Sequence, residues 1–214
     1  FTITAITAGG AGEAAAPLDN TTTAWSAGTF AVPAGGLTYS DAITVSGDVT
    51  LTLTDGETLT LNKGISIADG ATLTIEGNGT MNVNGTSGST ASTVAGTGTL
   101  VLTSGTLTAT GGNGQSTNQS HTTCASGGVA INGNVTVKGG TLTATGGNGG
   151  SVTGDFLAGS KGGAGGAAIS GDLTVNGGTM TTTNGNNGSV AAMSPDCTAG
   201  AGGKAVAGTV TDNR

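Results

Sequence analysis

Asp55, Glu57 and Glu76 are the closest this chain comes to an acid–base or cation site, with Asp48 and Asp69 at comparable places nearby. Hydrolysis of a glycosidic bond needs two carboxyl groups about 5 to 9.5 Å apart across a sugar cleft. Calcium needs several converging oxygens, and the spacing of Asp55, Glu57 and Glu76 has no EF-hand-like pattern, so they are weak calcium candidates only. Gly47-Asp48, Asp55-Gly56 and Asp69-Gly70 read more simply as turns, in which the carboxylate bonds its own backbone. His121, the only histidine, lies in a run of Ser, Thr, Asn and Gln. A nucleophile-base-acid triad would have to come from loops alone, so His121 reads as a solvated loop residue. The stretch from Gly159 to Gly166 lacks the Gly-Lys-Ser/Thr and the flanking strand and helix of a phosphate loop. No catalytic residue, metal or cofactor is expected, and the chain is not read as an enzyme.

Cys124 and Cys197 fall in comparable inserted segments, two repeats apart. Strands two rungs apart are about 9.6 Å apart, beyond the reach of about 7 Å between the Cα atoms of a disulfide. Leaning loops would close that gap, so a disulfide along the inserted edge and two separate thiols both stay open.

Composition narrows the class. Of 214 residues, 44 are glycine and 42 threonine, only 8% are charged and 2% aromatic. Bulk is too scarce for a thick globular core, which leaves an elongated architecture with a thin one. A net charge of −7, with no basic cluster, makes nucleic acid and anionic membranes poor partners. No apolar run approaches the roughly 18 residues of a membrane span. The chain opens at Phe1 rather than Met, which reads as a mature secreted product whose leader has been removed.

A repeat sets the architecture. Ile43 to Gly64 aligns without a gap on Ile65 to Gly85, placing Ile43 on Ile65, Val45 on Ile67, Leu51 on Leu73, Leu59 on Met81 and Leu61 on Val83. Each unit holds three short alternating strands. Such strands bury their apolar residues only when units stack about 4.8 Å apart. The expected fold is all-β: a parallel β-solenoid with three short strands per coil, an N-terminal cap and inserted loops along one edge. Val129 to Thr145 and Ala167 to Thr183 repeat the unit with insertions after Gly-Gly-Asn-Gly or Asn-Gly-Asn-Asn, and these loops share one corner. Asn113, Asn148 and Asn186 are expected to stack there, Asn being tolerant of a left-handed corner. Thr50 and Thr52 are expected over Thr72 and Thr74, and Thr106/Thr108, Thr141/Thr143 and Thr179/Thr181 extend a further threonine row. That row needs no ligand, since β-propensity and cross-strand pairing account for it. Polysaccharide or ice remains a use for it, the latter to be checked by thermal hysteresis.

The Ile-Thr-Val-x-Gly-Asp-Val-Thr-Leu-x-Leu and Gly-Gly-Thr-Leu-Thr-Ala-Thr-Gly-Gly-Asn-Gly segments resemble the Gly/Thr-rich β-helical repeats of bacterial secreted and surface proteins. These are similar in fold to the right-handed, pectin-lyase-like β-helix class. The resemblance covers about residues 43 to 214 and implies a right-handed coil, but no single activity. Lyases of the class hold calcium with several carboxylates and use a basic residue as proton acceptor. Here the one arginine is Arg214, and the lysines are not grouped with acids.

The chain is expected to divide into residues 1–42, an N-terminal strand, linker and cap, and residues 43–214, the β-solenoid coils of a single elongated domain. Trp25, Phe30, Val32 and Tyr39 concentrate bulk at the N-terminal end, while Val206 and Val210 open a coil with no evident plug or charged cap. An uncovered rung invites strand pairing. The main expectation is a secreted, noncatalytic, surface-fibre subunit, in which Phe1, Ile3 and Ile6 of one copy pair with the rung of Val206 and Val210 in the next, giving a head-to-tail homopolymer. The alternative is a cell-surface adhesin that binds a glycan or host surface through its inserted loops.

Overall fold

The computed structural model describes residues 14–153, 158–191 and 196–214. These residues form an all-β structure without a helix, so none is long and apolar enough to cross a membrane. The chain runs through β1 (Ala16–Pro17), β2 (Ala24–Ala31), β3 (Leu37–Tyr39), β4 (Ile43–Leu53), β5 (Thr58–Leu61), β6 (Ile65–Ile67), β7 (Thr72–Gly77) and β8 (Thr80–Asn84). It continues through β9 (Val94–Gly96), β10 (Thr99–Leu102), β11 (Thr106–Thr110), β12 (Asn134–Val137), β13 (Thr141–Thr145), β14 (Leu173–Val175), β15 (Thr179–Thr183) and β16 (Val210–Asp212). One parallel sheet has ten strands, with the order β1-β2-β4-β7-β10-β12-β14-β16 and with β6 paired to β4 and β9 paired to β6. The other has six, in the order β15-β13-β11-β8-β5-β3.

Alternation drives this arrangement. Along β5 and β8 every second residue is buried, Leu59 and Leu61 stacking on Met81 and Val83, while the threonines and asparagines between them face outward. In-register parallel pairing places like on like, and the apolar rows merge into one core running from Leu18 to Leu173 and Val175. Burying each aliphatic side chain is worth about 1.5–3 kcal/mol, so long rows compensate for the scarcity of bulk.

The ungapped alignment is right at its two ends and wrong in the middle. Ile43 pairs with Ile65 and Leu59 with Met81, but Leu51 pairs with Ile75 and Val49 with Leu73. Thr50 therefore lies on Thr74, and Thr52 on Glu76. The cause is the corner. β4 runs straight through Gly47, at φ 84°, whereas the next coil makes a full turn in which Ala71 N–H donates to Ala68 O at 3.1 Å. A slip of two residues keeps every side chain on its own face, so the apolar pattern cannot reveal it.

The aromatic residues near the N-terminus form a rung of their own. Trp25 pairs with Val45, Phe30 with Leu51 and Tyr39 with Leu61. Trp25 stacks on Phe30 with centroids 6.3 Å apart and meets Tyr39 edge-on at 6.0 Å. The Tyr39 hydroxyl donates to Asp19 O, and burial pushes its pKa up to about 12. Folding favours the neutral phenol, so this contribution is complete below about pH 10 and is lost as the pH climbs through 12. Urea denaturation between pH 9 and 12 is expected to show that loss in the native chain and not in Tyr39→Phe.

The C-terminal rung corrects an expectation. The row Phe30, Leu51, Ile75, Leu102, Val137, Val175 ends in Asp212, which pairs with Val175. Asp212 bonds Arg214 at 2.8 Å, and Arg214 Nη1 also donates to Gly178 O at 3.2 Å. Those bonds from Arg214 hold the carboxyl at about 2. β16 thus carries an exposed ion pair in line with an aliphatic row, where the sequence suggested no charged group of this kind. A charge pointing inward from an edge strand opposes the addition of another strand.

Candidate functional site

The inserted segments are more ordered than loops. Glycines recur every third residue, as in Gly111/Gly114, Gly146/Gly149, Gly147/Gly150, Gly162/Gly165, Gly163/Gly166, Gly185/Gly188 and Gly200/Gly203. Three residues per turn is the period of an extended polyproline-II-like helix, which has no internal hydrogen bonds and must find partners elsewhere. Here the outgoing segments stack as one layer and the returning segments as a second.

Within the outgoing layer, Gly114 N–H donates to Asn148 O at 2.7 Å and Gly149 to Asn186 O at 2.9 Å. Between layers a zigzag climbs the molecule. Gly128 N–H donates to Gly112 O at 2.7 Å, Gly147 to Gly128 at 2.9 Å, Gly166 to Gly147 at 2.8 Å and Gly185 to Gly166 at 2.8 Å. The third direction is met by side chains: Asn148 N–H donates to Asn113 Oδ1 at 2.9 Å, Asn186 to Asn148 Oδ1 at 2.8 Å, and Ser151 to Ser116 Oγ at 2.9 Å.

The asparagine ladder is therefore present, but not for a left-handed corner. None of these asparagines has positive φ; the side chains of Asn113 and Asn148 each accept from the backbone N–H of the next asparagine along the row. Glycine is required here by closeness rather than by φ. A Cβ on Gly147 would stand 1.9 Å from Gly112 O, and one on Gly185 1.8 Å from Gly147 O.

At their far edge the layers hold a tip formed by residues 116–123 with 158–160 and 196–198. Ser160, 1% exposed, ties it together. Its hydroxyl donates to Gln119 O at 2.9 Å and accepts from Thr122 N–H at 3.4 Å, and its N–H meets Cys197 Sγ at 3.4 Å. His121, at φ 55°, is the one non-glycine residue with positive φ among the described residues. Holding a side chain there costs about 1–3 kcal/mol, and such strain gathers at functional positions. Sequence reasoning passed over His121 because neighbouring residue types give no sign of its backbone conformation.

The expected acids do not converge. Asp55 is an exposed turn residue beside Gly56, at φ 73°; Glu57 N–H closes the turn onto Thr54 O at 3.0 Å; and Glu76 accepts from the Thr52 hydroxyl at 3.3 Å. Asp69 accepts from the Thr97 hydroxyl at 3.1 Å. Among the described residues no three His, Cys, Asp or Glu side chains group as metal ligands. Lys63 meets Asp41 at 3.1 Å with both exposed, an ion pair worth little.

Cys124 and Cys197 are not joined. Thr123 pairs with Lys161 and Lys161 with Thr198, so Cys197 stands two rungs from Cys124 and is displaced along the strand as well. Both displacements together exceed the reach of a disulfide.

Val206 pairs with Ile169, and Val210 on β16 is 53% exposed. Phe1, Ile3 and Ile6 lie outside the described residues. The outward rows of the six-stranded sheet run Thr58, Thr80, Thr106, Thr141, Thr179 and, beside them, Thr60, Asn82, Thr108, Thr143, Thr181, a neutral face accounted for by cross-strand pairing. Comparison with protein-family models, with curated proteins and with solved structures gives no match for this chain.

Proposed function

We propose that the two sheets are the walls of a closed, right-handed parallel β-solenoid and that the protein is a noncatalytic module acting outside the cell. Its work is to hold out the loop tip of the glycine layers for binding to a glycan-bearing surface. The observation that carries this reading is the hydrogen-bonded double layer ending in a tip locked by Ser160. A rigid base with polar, exposed ends is the arrangement in which loops serve recognition. Replacing residues 117–122 by two glycines is expected to abolish retention on immobilised oligosaccharides and leave the far-ultraviolet circular dichroism unchanged. Unaltered retention would reject the tip as the binding element.

A second reading has its own observation. β15 and β16 are edge strands, and Val210 is exposed on one of them. Strand addition by residues 1–7 of another copy would use that edge and build a head-to-tail fibre. Asp212 opposes it. The native chain is therefore expected to run as a monomer in size-exclusion chromatography with light scattering, and Asp212→Val to self-associate. Native fibres that vanish on deletion of residues 1–8 would establish the second reading instead.

A further inference from the structure

We infer that His121 is the ligand-contact residue of the loop tip and that its ligand is a neutral, hydroxyl-rich oligosaccharide; the inference rests on the display reading above. The left-handed conformation at 121 is fixed from several sides. His121 N–H donates to Ala158 O at 2.8 Å, Thr122 N–H reaches the buried Ser160 hydroxyl, and that hydroxyl holds Gln119 O.

The facing residue makes room for the ring. Gly159, itself at φ 60°, lies so close that a Cβ there would stand 3.0 Å from His121 Cδ2 and 3.5 Å from Nε2. The imidazole thus rests on the Gly159 backbone while the residue stays exposed. Glycine or asparagine would fit this backbone with less strain, so the turn does not explain a histidine. What the position gains is an aromatic ring with two nitrogens, held in place before any ligand arrives.

Its neighbours define the ligand. Asn118, Gln119 and Ser120 are exposed beside it, residues 115–123 carry no Asp, Glu, Lys or Arg, and the one charge within the described tip is Asp196, whose carboxylate accepts from hydroxyls and repels anions. Amides and hydroxyls both donate and accept, which matches the paired donors and acceptors of adjacent sugar hydroxyls. A phosphate or carboxylate ligand would call for the cationic forks this segment lacks. A protein partner would call for Trp, Tyr or Arg anchors, and residues 115–123 contain none. Lys161, exposed two residues from Gly159 and paired with Thr123, is a single ammonium rather than a fork, and Asp196 in the same tip offsets its charge.

The test uses the full chain on immobilised neutral, sialylated and sulfated oligosaccharides, with His121→Gly and His121→Asn, both of which suit the left-handed backbone. The native protein is expected to be retained on neutral members. Both variants should lose at least about tenfold in affinity, which is a difference of about 1.4 kcal/mol, while Tm stays level or rises by about 2–4 °C. Variants that bind as well as the native chain would overturn the role of His121 and leave the display reading standing. A fall in Tm in both variants would make the imidazole a structural residue and overturn the inference likewise. Retention on acidic members alone would overturn the ligand class. No retention on any oligosaccharide would reject the display reading itself, and the inference with it.

Discussion

Gly147→Ala is expected to destabilise the protein by about 3 kcal/mol or more, at the upper end of what overpacking costs. The added methyl would stand 1.9 Å from Gly112 O and 2.6 Å from its carbonyl carbon, and both are backbone atoms. Relief would require the segments of Gly112 and Gly147 to part, which strains the two hydrogen bonds that join them through Gly128, Gly128-to-Gly112 and Gly147-to-Gly128. Gly202→Ala is the control, because its Cβ would meet only the Asn187 side chain, at 3.3 Å. That change is expected to stay within about 0.5 kcal/mol. Thermal and urea denaturation of the two variants decides the matter: equal stabilities would mean that the glycine layers are not close-packed.

Trp25→Ala is expected to cost about 3–5 kcal/mol, as large-to-small changes in a packed core do. Trp25 is fully buried, stacks on Phe30, meets Tyr39 and covers the Val45 rung. Its loss would open a cavity next to the end of both sheets, so aggregation on heating should accompany the fall in stability. Trp25→Phe should cost much less. It keeps an aromatic ring and removes a buried indole N–H that makes no well-formed hydrogen bond. Equal losses in the two variants would contradict this account of the rung.

The wall of the structure was readable from the sequence, and the reason is physical. Alternating apolar residues, with turns at Gly and Asp, leave few ways to bury a face, and stacking like units is the simplest. Ile43 on Ile65 and Leu61 on Val83 follow from that alone. Leu51 on Ile75 does not, because a two-residue slip leaves the pattern of faces unchanged. The glycine layers carry a period of three, but a segment with neither helical nor strand alternation gives no apolar signal and reads as a loop. Asp212 was missed because its significance depends on which residue it stacks upon. The strain at His121 has no sequence signature at all.

The zigzag of glycine amides has a thermodynamic consequence. This part of the molecule is held by peptide groups bonded to peptide groups, with little hydrocarbon between them, so melting it would expose mostly polar surface. Polar exposure lowers the heat capacity of unfolding while apolar exposure raises it. The stability curve of the protein should therefore be flatter than that of an equally long chain with an oily interior, and the glycine region should tolerate cooling better than the aliphatic rows beside it.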